Sequence, residues 1–210
     1  MATINHNWET ERFKLFISHV SDHRADVEAL KYALSLEGIC GFVAHSDIEP
    51  THEWQTVIES ALFSADALLA YLTPDFIASK WTDQEVGVAY GRGIPIVPVK
   101  LNQDPYGLIG KFQALQGAGR AFKDIAKEVR KVLLKNEKTK LAMTSAVVSL
   151  FENSSSFANA KENMDRLESI TFLDQDLLIR IENAGKNNYQ INSAFGVPAR
   201  VDALIKRFIG

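Results

Sequence analysis

The chain has 210 residues, 46% hydrophobic and 23% charged, a composition that supports a core of normal size without disulfide or metal staples. Its 23 basic and 26 acidic residues leave a net charge of −3, which gives no basis for a nucleic-acid or membrane-surface binder. The lone Cys40 excludes an internal disulfide and reads as a small core residue among apolar neighbours.

Residues 13–17 form the first strand candidate and are followed by Ser18 and His19. From 22 to 37 Val27, Leu30 and Leu34 share one helical face, and Gly38 supplies a stop. Residues 39–43 read as a second strand, which leads into a polar loop over 46–52. Trp54, Val57, Ile58, Ala61 and Leu62 then recur at helical spacing, the best amphipathic stripe in the chain. Residues 66–72 are apolar almost throughout and do not alternate, as a parallel strand buried on both faces requires. Ala67 to Leu72 is also the longest uninterrupted apolar stretch, far short of the roughly 20 residues that cross a bilayer. The polar first dozen residues lack the apolar run of a secretory signal, so a soluble cytoplasmic protein is expected.

A helix follows over about 79–91. Residues 94–99 make a further apolar run whose two prolines, Pro95 and Pro98, predict an edge or irregular strand. Strands alternating with helices in this way predict βαβ units and a doubly wound α/β sheet. Beyond Lys100 the spacing predicts a loop region, one weak strand near 118–122, and a helix from Ile125 continuing toward Leu150. Residues 153–156 read as a linker, and the remainder is helical, ending on a stripe of Val201, Leu204, Ile205 and Phe208. The expected organisation is an α/β domain over 1–150 and a helical C-terminal extension over 151–210.

Ligands of open α/β sheets bind where loops leave the carboxyl ends of the strands. The most loaded of these segments is Ser79-Lys80-Trp81-Thr82-Asp83-Gln84-Glu85. Trp81 and Glu85, four apart, share a helix face, and an indole beside a carboxylate suits an aromatic ligand that develops positive charge. Pattern alone leaves plainer readings open. Thr82-x-x-Glu85 is also a capping box, Trp81 and Trp54 suit packing, and Asp47 suits a solvated loop. His19, His45 and His52 lack a paired spacing, so no metal site is expected. Phosphate-cradling glycine motifs and the G-x-S-x-G elbow are absent. A phosphoacceptor receiver shares the topology but needs acidic residues where this chain has Ser18-His19.

Taken in order, several segments resemble the Toll/interleukin-1 receptor (TIR) domain, particularly its bacterial members. They are Leu15-Phe16-Ile17-Ser18-His19, Gly38-Ile39 through Phe42, Asp47-Ile48-Glu49-Pro50, Glu53-Trp54 and Ile58-Glu59-Ser60-Ala61. They continue with Leu72-Thr73-Pro74-Asp75-Phe76, the segment 79–85, and Ile94 through Val99. The resemblance runs from Phe13 to about Phe122, and it rests on order and spacing more than on any one piece. It implies a flavodoxin-like sheet of about five parallel strands in the order 2-1-3-4-5. Many bacterial and plant members cleave the nicotinamide–ribose bond of NAD with a glutamate in a W-x-x-x-E arrangement, which Trp81 and Glu85 match. Thr82 stands where a cysteine is usual in bacterial members.

The same resemblance implies that Glu85 is catalytic and that Trp81 walls the pocket. Ser18 and His19 lie at the nicotinamide–riboside side, the loop holding Asp47 gates the site, and Trp54 contributes to it. NAD is then the substrate, and neither a cofactor nor a metal is implied. Short bacterial members serve antiphage defence by making ADP-ribose or a cyclic isomer as a signal for a separate effector. Their sites form between adjacent TIR domains, so self-association is expected. The alternatives are a non-enzymatic TIR scaffold and a nucleoside deoxyribosyltransferase-like enzyme of the same topology.

Overall fold

The computed structural model describes residues 8–44 and 54–209. Five parallel strands, β1 (Phe13–Ser18), β2 (Ile39–Phe42), β3 (Ala67–Leu72), β4 (Ile96–Lys100) and β5 (Leu115–Gln116), line up in the order 2-1-3-4-5. This is the flavodoxin-like order. All six residues of the central β3 are buried, which explains why its sequence shows no polar alternation.

Strand alternation divides the interior into two layers. Phe13, Leu15, Ile17, Leu69 and Tyr71 face α1 (Arg24–Ser35), α4 (Phe122–Lys135) and α5 (Lys140–Glu152). Phe16, Leu68, Ala70 and Leu72 face α2 (Trp54–Ser64) and α3 (Lys80–Arg92). The first layer continues without a break into the C-terminal helices α6 (Phe157–Glu168), α7 (Gln175–Asn187), α8 (Tyr189–Asn192) and α9 (Val197–Ile209), through Met164, Leu167, Ile181 and Val201. Residue 150, the expected domain boundary, lies inside α5, whose Val147 and Phe151 belong to that common core.

Three expected elements take a different form. The helix expected to run from 125 toward 150 is two helices. Asn136 turns extended at ψ 126°, its Oδ1 accepts from the Lys138 N–H at 2.9 Å, and the Thr139 hydroxyl donates to the Leu133 carbonyl at 2.7 Å. These local side-chain bonds replace the helical ladder. The weak strand lies at Leu115–Gln116 instead of 118–122, where the Gly117 and Ala118 N–H groups both turn onto the Lys100 carbonyl. The proline-bearing run is β4, second from the edge. Its neighbour β5 pairs only at Val99 and Lys100, so the Pro98 nitrogen, on the side away from β3, faces no strand and its missing donor leaves no ladder bond unmade, while Pro95 precedes the strand.

Gly38, between α1 and β2, has φ +86°, and a Cβ there would sit 3.3 Å from the Ala146 carbonyl oxygen of α5. The left-handed backbone and the close approach both require glycine. Gly38→Ala is expected to cost about 1–2 kcal/mol, measured as a lower urea midpoint at unchanged slope. An unchanged midpoint would show that the turn relaxes freely.

A buried ionic cluster fastens the C-terminal helices to the α/β core. Glu37, just after α1, meets Arg130 Nε of α4 at 2.7 Å and Arg166 Nη2 of α6 at 3.3 Å. Arg130 also donates to the Ser169 hydroxyl at 2.8 Å and the Arg166 carbonyl at 3.3 Å. Glu37 and Arg130 are both buried, and the Arg166 side chain is 13% exposed.

Candidate active site

Helix α3 carries the candidate carboxylate, and its start is fixed by three local hydrogen bonds. Ser79 is the N-cap and accepts from the Thr82 N–H at 3.4 Å. The Thr82 hydroxyl donates to the carbonyls of Phe76 and Ser79, both at 2.9 Å. With Ser79 as cap, Glu85 lies past the third helical position, so the capping-box reading of Thr82-x-x-Glu85 does not hold. The helix ends at Gly93, φ +67°, whose N–H closes onto the Ala89 and Tyr90 carbonyls.

On this frame Glu85 points inward from the same face as Ala89, toward the carboxyl end of β1. It is 7% exposed and accepts a 2.6 Å hydrogen bond from the Ser18 hydroxyl, which is 0% exposed. Burial pushes the Glu85 carboxyl up from an ordinary value of 4.5 to about 7, against the smaller lowering influence of the Ser18 hydrogen bond. A carboxylate balanced in this way near neutral pH is a functional signature, because burial without a partner charge destabilises a fold.

Trp81, one turn before Glu85, is 42% exposed, and Trp54 at the start of α2 is 47% exposed. Their rings meet edge to face with centroids 4.9 Å apart. Two half-exposed indoles thus stand together on the helix pair next to the buried acid, where a core role would have hidden them. His19 is buried beside Ser18, and its Nδ1–H donates to the Ile17 carbonyl at 3.3 Å. The structure therefore brings Ser18 and Glu85 together at the end of β1, with His19 next in the chain and turned to the Ile17 carbonyl, and pairs Trp54 with Trp81. Asp47 and the loop 46–52 lie outside the described residues.

Two contacts could not be read from local sequence. Ser18 and Glu85 are 67 positions apart, and only the pairing of β1 beside β3 with α3 above brings them together. Thr82, the departure from the bacterial pattern, uses its hydroxyl to tie α3 to the preceding 3₁₀ turn at Phe76–Ala78. A groove of about 980 Å³ lies elsewhere, along the open edge of β4 near Lys111, Lys135 and Lys138, and Glu85 does not line it. Among the described residues no three His, Cys, Asp or Glu side chains converge as a metal site would need. Among them, too, no helix is long and apolar enough to cross a membrane.

A family model for the TIR domain matches residues 15–133, more than half of the chain. The chain belongs to the TIR domain family. It is also similar to the crystal structure of the TIR domain of the Toll-related receptor TRR-2 from Hydra magnipapillata. That likeness has 16% identity and a TM-score of 0.47, and it covers 56% of this chain and 98% of that one. No curated protein matches the chain. The TIR match begins in β1 and ends in α4, so it contains Ser18, Trp54, Trp81 and Glu85 and leaves α5 to α9 outside.

Proposed function

We propose that this TIR protein cleaves the nicotinamide–ribose bond of NAD, with Glu85 as the catalytic carboxylate. The observation that carries the reading is the buried Glu85, held by Ser18 next to two half-exposed indoles. The oxidised nicotinamide ring is a cation. When its bond to the ribose breaks, the bonding pair leaves with the ring, nicotinamide departs neutral, and the positive charge passes to the ribose. The leaving group needs no proton, so one carboxylate suffices where ordinary glycoside hydrolysis uses two. A carboxylate in a water-poor site stabilises that growing charge far more than one in bulk water. The approach of a cationic ring also favours ionisation of Glu85, so substrate and charged enzyme form select each other.

Water attacking the ribose carbon and losing a proton gives ADP-ribose, and an internal nucleophile gives a cyclic isomer. In this reading the product acts on a separate effector in bacterial antiphage defence, in the cytoplasm. Self-association of TIR domains completes the site, so specific activity rises with protein concentration. A scaffold that only bound other TIR proteins would have no use for a buried ionisable group that weakens the fold at neutral pH, and this favours the enzyme. The test is to incubate the purified chain at increasing concentration with NAD and to follow nicotinamide by chromatography and the sugar product by mass spectrometry. Nicotinamide release that tracks the protein supports the reading. Its absence at all concentrations, with TIR–TIR binding retained, would leave the scaffold.

A further inference from the structure

We propose that Ser18 is the positioning residue of this site, its hydroxyl aiming the Glu85 carboxylate and selecting its ionised form. The inference rests on the catalytic reading of Glu85 but can be measured apart from it. Ser18 is fully buried, and the 2.6 Å contact takes its one proton to Glu85 Oε2, so it has no free face with which to touch substrate. A buried carboxylate stays charged only where donors replace water. Ser18 is the donor that the structure supplies.

Among the described residues the surrounding charges leave that task to the hydroxyl. Glu85 rises to about 7 through burial, and Ser18 is the one lowering influence among the described residues. On β1, Lys14 lies toward the other end of the strand, where its backbone bonds Asp66. Tyr71 of β3 faces the opposite layer, and Lys100 of β4 is held by Asp104 at 2.5 Å. Glu59 of α2 is exposed. On α3 itself Lys80 is exposed, Asp83 accepts from the Tyr106 hydroxyl at 2.6 Å, and Arg92 is held by the Leu62 and Ala65 carbonyls. His19 is the titratable neighbour in sequence, and its Nδ1 is turned to the Ile17 carbonyl. Nothing in the 3₁₀ turn Phe76–Ala78 titrates.

Removing the donor disfavours the charged form, so the Glu85 midpoint must rise. A gain of about one unit would leave roughly fivefold less carboxylate at pH 7 and nearly the same amount at pH 9. The experiment follows the side-chain carbon of Glu85 by NMR titration in glutamate-labelled protein, with Glu85→Gln identifying the resonance. Wild type, Ser18→Ala and Ser18→Cys are compared, the last keeping a weak donor of similar size. An upward shift in Ser18→Ala with an intermediate shift in Ser18→Cys supports the assignment. An unchanged or lower midpoint in either folded variant overturns it. Nicotinamide release is read in parallel, with an expected loss of about fivefold at pH 7 that recovers toward pH 9. A titration shift without any release, even by wild type, would sustain the Ser18 assignment and remove the catalytic one. Release whose pH profile ignores Ser18 would do the reverse.

Discussion

Glu85→Gln is expected to lower nicotinamide release by at least about a hundredfold, the scale on which loss of a pre-aimed electrostatic group acts. The carboxamide has nearly the same shape and still offers an oxygen to the Ser18 hydroxyl, so the helix frame from Ser79 to Gly93 has no reason to change. It cannot carry the negative charge that meets the ribose cation. Stability should move in the opposite direction. The folded-state pKa of Glu85 lies near 7, above its ordinary 4.5, so between those values the folded chain holds a proton that the unfolded chain has lost. Stability therefore falls as pH rises through that window, by up to about 3 kcal/mol once both states are ionised. Gln has no proton to lose. The variant should match wild type near pH 4.5 and melt at a higher temperature at pH 8, as thermal denaturation at the two values would show. A variant that is inactive and also less stable at pH 8 would point to a structural role for the acid.

The second large effect concerns the buried cluster on the far side of the sheet. Replacing Glu37 by Gln leaves the buried Arg130 with no balancing charge and leaves the half-buried Arg166 with only Glu162, 3.8 Å away. Burial alone already disfavours the charged form of Arg130, and Glu37 is what counters it. Breaking such a group by removing one member typically costs about 3–5 kcal/mol, well above an exposed pair. In a chain of this length each kcal/mol moves the melting temperature by about 2–4 °C. The melting temperature should therefore fall by roughly 6–20 °C. Glu137→Gln, which breaks an exposed pair with Lys140, serves as the control and should change little. Because the cluster spans α1, α4 and α6, wild type should unfold in one transition that takes the C-terminal helices with it. A Glu37→Gln chain that melts within about 2 °C of wild type would mean that packing alone holds α6 in place.

The contrast between these regions explains how much could be read from sequence. The parallel α/β sheet was legible because it leaves strong marks: a fully apolar β3, helices of matching length between strands, and Gly38 at the α1 stop; the strand order came only from the family resemblance. The Trp81–Glu85 spacing was legible because it is local to one helix. The break at 136–139 was not, since Asn136 and Thr139 act through hydrogen bonds to nearby backbone while the apolar period runs on past them. Glu37 gave no sign of importance, because a charged residue after a helix reads as a solvated one until α4 and α6 fold over it. The family resemblance put Ser18 on the nicotinamide–riboside side, but its hydrogen bond to Glu85 is set wholly by tertiary packing and left no mark in the local sequence.

The edge-to-face indoles give the molecule an internal optical reporter. Two of its three tryptophans, Trp54 and Trp81, share one 4.9 Å contact one helical turn from Glu85, and their half-exposed rings emit into water. Any planar ligand that slides against them will quench or blue-shift that emission and disturb the coupled near-ultraviolet dichroism of the pair. Occupancy can then be followed in unlabelled protein, with Trp8, hydrogen-bonded to Ser64 elsewhere, as a nearly constant background.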